Sequence, residues 1–334
     1  MVFSPSRCLF TSTLILGITI AVSSSSWLGA WMGLELNLLS FIPLILMKDN
    51  QYSSEAALKY FLIQALGSTV LLISAVMILI KIDMFTASLT SALLLKAGAA
   101  PFHSWFPPTL EGMMWSQALM LMTIQKIAPM SLLSFYIKEQ EILVSMSVIL
   151  SAIVGALGGL NQTFLRKLLA YSSINHMAWM MSALMMSESA WVLYFVVYSL
   201  VNMSVVMLMM VSQSYHFNHL VKFTSHKPAT KMIMSMSLLS LGGLPPFTGF
   251  IPKWMIIQQL CSMKMFLILG FLLTSSLFTL FYYLRMTMSS LVLSSFKTKW
   301  NLNFKHFNNK IIFMSLSVNL MGLILISLAS MVMT

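Results

Sequence analysis

Cysteine is almost missing from this chain. Its two residues, Cys8 and Cys261, lie far apart and form no CxxC or Cys–His spacing, which excludes a disulfide framework and a cysteine-built metal or iron–sulfur site. Acidic residues are also scarce: eight Asp and Glu stand against nineteen Lys and Arg in 334 residues, and all charged residues together make up 8%. So little charge cannot cover a water-facing surface. There is no GxGxxG, no phosphate loop and no paired catalytic carboxylates, so no motif for holding a nucleotide or flavin is present.

What fills the chain instead is oil. Apolar residues make up 58%, methionine alone accounts for 32 positions, and the mean hydropathy is +0.88, so the backbone is to be judged against lipid rather than water. Stretches long enough to cross a bilayer fall at 8–24, 27–47, 56–80, 86–102, 113–136, 141–160, 165–186, 189–212, 230–260, 264–288 and 311–332. These predict an all-α polytopic membrane protein of about eleven transmembrane helices, forming one domain over 1–334. The fourth segment is too short for one straight span, and the ninth is too long and holds Gly242, Gly243, Pro245 and Pro246. Arg7, the apolar run from Leu9 to Val22 and Ser23 to Ser26 imitate a secretory signal. The run resumes at Trp27, so a retained first membrane helix is expected.

The net charge of +11 is spread between apolar runs, a pattern that does not fit a nucleic-acid partner. Two connections are long: Ser214 to Ala229, with His216, His219 and His226, and Ser289 to Lys310, with Lys297, Lys299, Lys305 and aromatic residues between them. The histidines have no companion acid or cysteine and are expected to be polar loop residues rather than metal ligands. The lysine-rich connection is expected to rest on anionic lipid, cardiolipin included. With eleven spans, thirteen basic residues fall on one side of the membrane and three (Lys81, Lys138, Lys264) on the other. The bias places the N-terminus and both long connections on the positive, matrix-like side and the C-terminus opposite.

Four charges lie inside apolar segments: Glu35, Lys96, Lys126 and Lys253. A charge at the bilayer centre costs about 3 kcal/mol on insertion scales, roughly 12 kcal/mol for four, unless the groups face a polar interior. Helix-to-helix pairing or snorkelling is the structural alternative. Two of the lysines adjoin related stretches. A shift of 145 residues aligns AGAAPFHSWFP, from Ala97, with GGLPPFTGFIP, from Gly242, and matches Gly98, Pro101, Phe102 and Pro107 to Gly243, Pro246, Phe247 and Pro252. An internal repeat around 96–108 and 241–253 is the simplest reading. With the copies in the fourth and ninth segments, an odd offset of five, the two repeats are expected to be inverted, each with a discontinuous helix. Proline removes a helical hydrogen bond and glycine permits the turn, so backbone polar groups come free at membrane depth and require water or protein partners. Lys96, just before the first break, and Lys253, just after the second, would sit beside that water as candidates for proton exchange.

LLLKAGAAPFHSWFP, QKIAP at 125–129, LRKLLAYSSINHMAWM at 165–180 and LSLGGLPPFTGFIPKW at 239–254 together resemble the antiporter-like membrane subunits of respiratory complex I. Among these the closest likeness is to the subunit 2 family of animal mitochondrial NADH:ubiquinone oxidoreductase. The resemblance implies a proton-pumping subunit in the mitochondrial inner membrane, partnered by other membrane-arm subunits. It also implies the loss of three N-terminal helices present in bacterial relatives. NAD, FMN, iron–sulfur clusters and ubiquinone would belong to the complex, and none to this chain. The resemblance assigns the relay to Glu35, Lys59, Lys96, Lys126 and Lys253, with Glu35 and Lys59 as a switchable ion pair. At 1.5 Å per residue Glu35 lies roughly 18 Å from its helix end and Lys59 roughly 5 to 10 Å from its helix start, so that pair requires water or a tilted helix. Pro108 and Ile124 depart from the family pattern, where an acid and a tryptophan are common, and Glu111 lies nearby.

Ser172 and His176 lie four apart on one helix face, where they could line a water path or hydrogen-bond in packing. The spacings Gly29/Gly33 and Gly155/Gly159 predict close helix approach. The Asn161 glycosylation sequon is expected to go unused. Two other functions fit the same residues, a free-standing cation/proton antiporter and a structural membrane scaffold.

Overall fold

The computed structural model describes residues 5–46, 50–80, 85–224, 228–292 and 309–320. Helices dominate these residues, and the one extended pairing among them is an isolated antiparallel bridge between Phe164 and His216. The chain folds as two compact units, 1–151 and 152–334. The first contains α1 (Pro5–Ser23), α2 (Trp27–Ile45), α3 (Gln51–Leu79), α4 (Thr86–Ala97), α5 (Phe106–Gly112), α6 (Trp115–Met122) and α7 (Ile124–Leu133). The division falls inside α8 (Glu141–Gly159). The second unit continues with α9 (Leu165–Met186), α10 (Glu188–Ser212), α11 (Phe217–Thr224), α12 (Pro228–Gly242), α13 (Phe250–Ser262), α14 (Phe266–Val292) and α15 (Asn309–Leu320).

Six of these helices, α1, α2, α3, α8, α10 and α14, are long and apolar enough to cross a membrane, against the eleven spans expected. The difference has local causes. The fourth, fifth and ninth expected segments are cut into the short pairs α4/α5, α6/α7 and α12/α13. Helix α9 is diluted by Arg166, Lys167, Asn175 and His176, and much of the eleventh segment lies outside the described residues. The Ser214–Ala229 connection is not a plain loop, because α11 occupies half of it. Of the lysine-rich connection, 293–308 lies outside the described residues, as do Lys48, Lys81, His226, Lys227 and Thr334.

Lipid gives no hydrophobic drive between helices, so close packing and internal hydrogen bonds must hold them. Gly33 of α2 lies against the backbone of α1, where an added Cβ would meet Ala21 N at 2.5 Å and Gly17 O at 2.7 Å. Gly155 of α8 approaches α9 as tightly, and an added Cβ there would meet Asn175 N at 2.6 Å. Their expected GxxxG partners do other work: Gly29 faces its own hairpin at Ser24, and Gly159 receives the ring of Tyr282. Buried serines are satisfied within their own helices, as where Ser147, Ser151 and Ser173 donate to carbonyls three residues back, which lets a membrane helix carry hydroxyls without orphaning them. Asn50 and Ser187 cap α3 and α10 through Tyr52 N and Ala190 N, a match to the residue types preferred at that position.

Candidate functional site

Helix α4 ends in a left-handed turn at Gly98, φ 74°. Ala99 N donates to Leu94 O at 3.1 Å and Gly98 N to Leu95 O at 3.2 Å, the paired bonds of a Schellman cap. The helix restarts where Phe106 N reaches His103 O at 3.0 Å. Two side chains attend to the exposed carbonyls: the Trp105 indole donates to Leu95 O at 3.1 Å and the Gln64 amide to Lys96 O at 3.3 Å.

The second break repeats this turn. Gly243 has φ 79°, Leu244 N donates to Leu239 O at 3.4 Å, Gly243 N to Ser240 O at 3.1 Å, and α13 restarts with Ile251 N on Thr248 O at 3.3 Å. Each of these residues stands 145 positions after its counterpart in the first break, so the sequence match is also a match of hydrogen bonding. The partners differ. Here the carbonyl of Gly242 accepts from Lys253 Nζ at 3.1 Å, and that side chain curls against Gly243.

A third interruption, not anticipated from sequence, separates α6 from α7 at Thr123, with φ −119° and ψ −77°. Lys126 follows at once, its N–H on Thr123 O at 3.0 Å, and Pro129 sits inside α7. All three membrane lysines of the predicted relay therefore adjoin a broken helix. Each is almost fully buried: Lys96 is 6% exposed, Lys126 2% and Lys253 5%.

In the first unit Lys96 and Lys126 line one cavity together with Asn37, Tyr60, Gln64 and Gln125, with a free volume of about 20 Å³, enough for about one water. Lys126 Nζ lies 5.3 Å from the centre of the Phe106 ring, a cation–π contact with the residue that restarts the helix. The Glu35 Oε2 is buried without a hydrogen-bond partner among the described residues. Lys59 stands apart from this group. It is exposed and bound to Glu55 at 2.5 Å, one turn away on α3, so the structure pairs Lys59 with Glu55.

In the second unit Lys253 Nζ lies 5.8 Å from the Trp179 ring centre. Ser172 and His176, on the same α9, are both buried. His176 Nδ1 and Tyr194 OH are hydrogen-bonded at 2.8 Å, while the Ser172 hydroxyl donates to Leu169 O in its own helix. Asn175 accepts from Ser275 Oγ at 3.0 Å. Gln64, Trp105, Glu55 and Tyr194 were not foreseen. Only Glu55 had a sequence signal, its position four residues before Lys59.

Among the described residues the buried amines of the set collect at helix breaks. Residues 24–279 match the family described as NADH:quinone oxidoreductase/Mrp antiporter, TM. NADH-ubiquinone oxidoreductase chain 2 of Anopheles gambiae is 44% identical over 98% of this chain and 99% of that one. Its namesake in Lumbricus terrestris is 41% identical over 87% and 88%. Among solved structures, a chain of respiratory complex I from Thermus thermophilus with bound aureothin superimposes with a TM-score of 0.86 at 24% identity, over 98% of this chain and 79% of that one. A chain of the Mrp complex from Dietzia gives 0.77 at 15% identity, over 96% and 76%. At such identities the structures speak for the fold alone. The chain belongs to the NADH:quinone oxidoreductase/Mrp antiporter membrane family, and within it to the chain 2 group of the NADH-ubiquinone oxidoreductases.

Proposed function

We propose that this chain is a proton-translocating core membrane subunit of mitochondrial NADH:ubiquinone oxidoreductase, with Glu35, Lys59, Lys96, Lys126 and Lys253 as its relay and Ser172 and His176 beside the path. The observation that carries the reading is the placement of every buried lysine of the set beside a broken helix. The C-terminal end of a half-helix presents unpaired carbonyls and the negative end of a dipole, which stabilise a cation. Lys96 lies in the last turn of α4 and Lys253 Nζ reaches the Gly242 carbonyl that ends α12, whereas Lys126 lies in the first turn of α7, where the dipole favours release of its proton. An amine held that way can lose its proton without stranding a bound anion.

Lys96 and Lys126 share a cavity of about 20 Å³, and two ammonium ions on so small a space repel each other. One proton for the two amines is the favoured loading. Glu35 biases it toward Lys96; withdrawal of that charge, or its pairing with Lys59, releases the proton toward Lys126. Lys59 rests on Glu55 here, so the proposed switch requires it to exchange one acid for the other. Eleven spans, the inverted relation of the repeats, a matrix N-terminus, an intermembrane-space C-terminus and contacts with anionic lipid such as cardiolipin complete the proposal. Electron transfer from NADH to ubiquinone is assigned to neighbouring subunits of the complex.

Lys126→Met keeps length and apolar packing but removes the titrating amine. Proton pumping by the assembled complex should fall at least about tenfold while the peripheral redox centres still accept electrons from NADH. Lys126→Arg should fail as well, since guanidinium does not release its proton. Full pumping in both variants would leave Lys126 a packing residue and favour the scaffold reading. Pumping by the isolated chain in liposomes would favour the free-standing antiporter.

A further inference from the structure

Asn319 lies on α15, far from any residue of the relay in sequence, and is 1% exposed. Each side of its amide is used. Oδ1 accepts from Ser240 Oγ at 2.7 Å, and Nδ2 donates to Ser315 O at 2.8 Å in its own helix. Its main-chain carbonyl accepts from Thr248 N at 3.4 Å. Ser240 is in the last turn of α12 and Thr248 lies two residues before the start of α13, so one residue grips the chain on both sides of the second break.

The grip bears on a crowded point. Gly249 stands so close to the carbonyl of Ser240 that a Cβ there would overlap it, and Ser240 O also receives Gly243 N. The Ser240 hydroxyl faces two acceptors at 2.7 Å, Ser237 O and Asn319 Oδ1, but has one proton to give. The bond to Asn319 therefore competes with one inside α12, and their balance sets how firmly the end of α12 is held. Two residues on lies Gly242, whose carbonyl receives Lys253 Nζ.

We propose that Asn319 is the positioning residue of the second break: by holding Ser240 and Thr248 it keeps the Gly242 carbonyl where Lys253 can reach it. The inference rests on the proposed role of Lys253 in proton transfer. The side-chain amide, rather than the bulk of residue 319, is what the break requires.

The test uses the assembled complex and reads protons pumped per electron delivered to quinone. Asn319→Leu fills the same space without the two side-chain hydrogen bonds and keeps the main-chain carbonyl that accepts from Thr248 N. It should lower the ratio by about fivefold, the weight of one hydrogen bond. Asn319→Asp, neutral in so buried a place, offers an acceptor to Ser240 and a donor to Ser315 O, and should restore most of the ratio. Ser240→Ala removes the smallest group and should reproduce the Leu effect if that variant fails to assemble. A normal ratio in Asn319→Leu or in Ser240→Ala, or an Asp variant no better than Leu, overturns the inference. Lys253→Met separates the two levels: normal pumping in that variant removes the proposed role of Lys253 itself, whereas lost pumping there beside normal Asn319 variants removes only the positioning role.

Discussion

The two helix breaks share a backbone and differ in who serves it. In the first unit the exposed carbonyls of Leu95 and Lys96 are taken by Trp105 and Gln64, and the Lys96 side chain is left to line a cavity. In the second unit the lysine does this work itself, with Lys253 Nζ on Gly242 O. Lys96 precedes its glycine turn and Lys253 follows its own; the position matching Lys253 is Pro108, and that matching Lys96 is Leu241. A repeated turn has thus been given two different amines. One is freed by structural donors, and the other doubles as a structural donor.

The largest expected effect separates these cases. Lys96→Met should remove pumping but leave the first break intact, because neither carbonyl there depends on the lysine. Lys253→Met should remove pumping and also leave Gly242 O without its partner, a loss of about 1–3 kcal/mol for an unsatisfied buried group. Thermal inactivation of the purified complex distinguishes them: only the Lys253 variant should inactivate earlier. Equal stability in the two variants would break the comparison.

A smaller effect is expected at the matched positions Ser104 and Gly249. Ser104 is exposed, and Ser104→Ala should change stability by no more than about 0.5 kcal/mol. Gly249→Ala brings a methyl group into the Ser240 carbonyl, and overpacking of this kind costs about 1–3 kcal/mol. The yield of assembled complex and its heat stability should fall for Gly249→Ala alone. Similar behaviour of both variants would mean that the second turn is no tighter than the first.

The breaks were legible because glycine and proline write them into the sequence, and the buried lysines because charge is so rare in this chain. The third interruption was not legible. Its only proline, Pro129, comes after Lys126, whereas the chain breaks before it, at Thr123. Helix α11 was hidden by its polar residues, Asn218, His219 and Lys222, which read as loop. Gln64 and Asn319 act across 32 and 79 residues of sequence, and no local pattern announces such a contact. Glu55 is different: its place four residues before Lys59 is an ordinary helical pairing that the sequence itself carries.

That choice between acids gives the finest comparison within the first unit. Glu55 and Lys59 are exposed, with side chains 61% and 46% accessible, and an exposed pair of this kind contributes about 0.2–1 kcal/mol. Glu55→Gln should therefore barely change stability, which makes it a clean probe of where Lys59 goes when released. On the proposed switch Lys59 would then turn to Glu35, and Glu35 drawn toward Lys59 would act less on Lys96. Glu35→Gln also removes the charge from Lys96, but it takes away the switch as well. The two substitutions should thus act differently on the assembled complex. Glu35→Gln should lower both proton stoichiometry and quinone-reductase turnover, while Glu55→Gln should keep the stoichiometry and change turnover alone, by about two- to fivefold, the reach of a pair contributing up to 1 kcal/mol. Unaltered turnover in Glu55→Gln beside a defective Glu35→Gln would confine Lys59 to its surface pair and leave Glu35 serving Lys96 only.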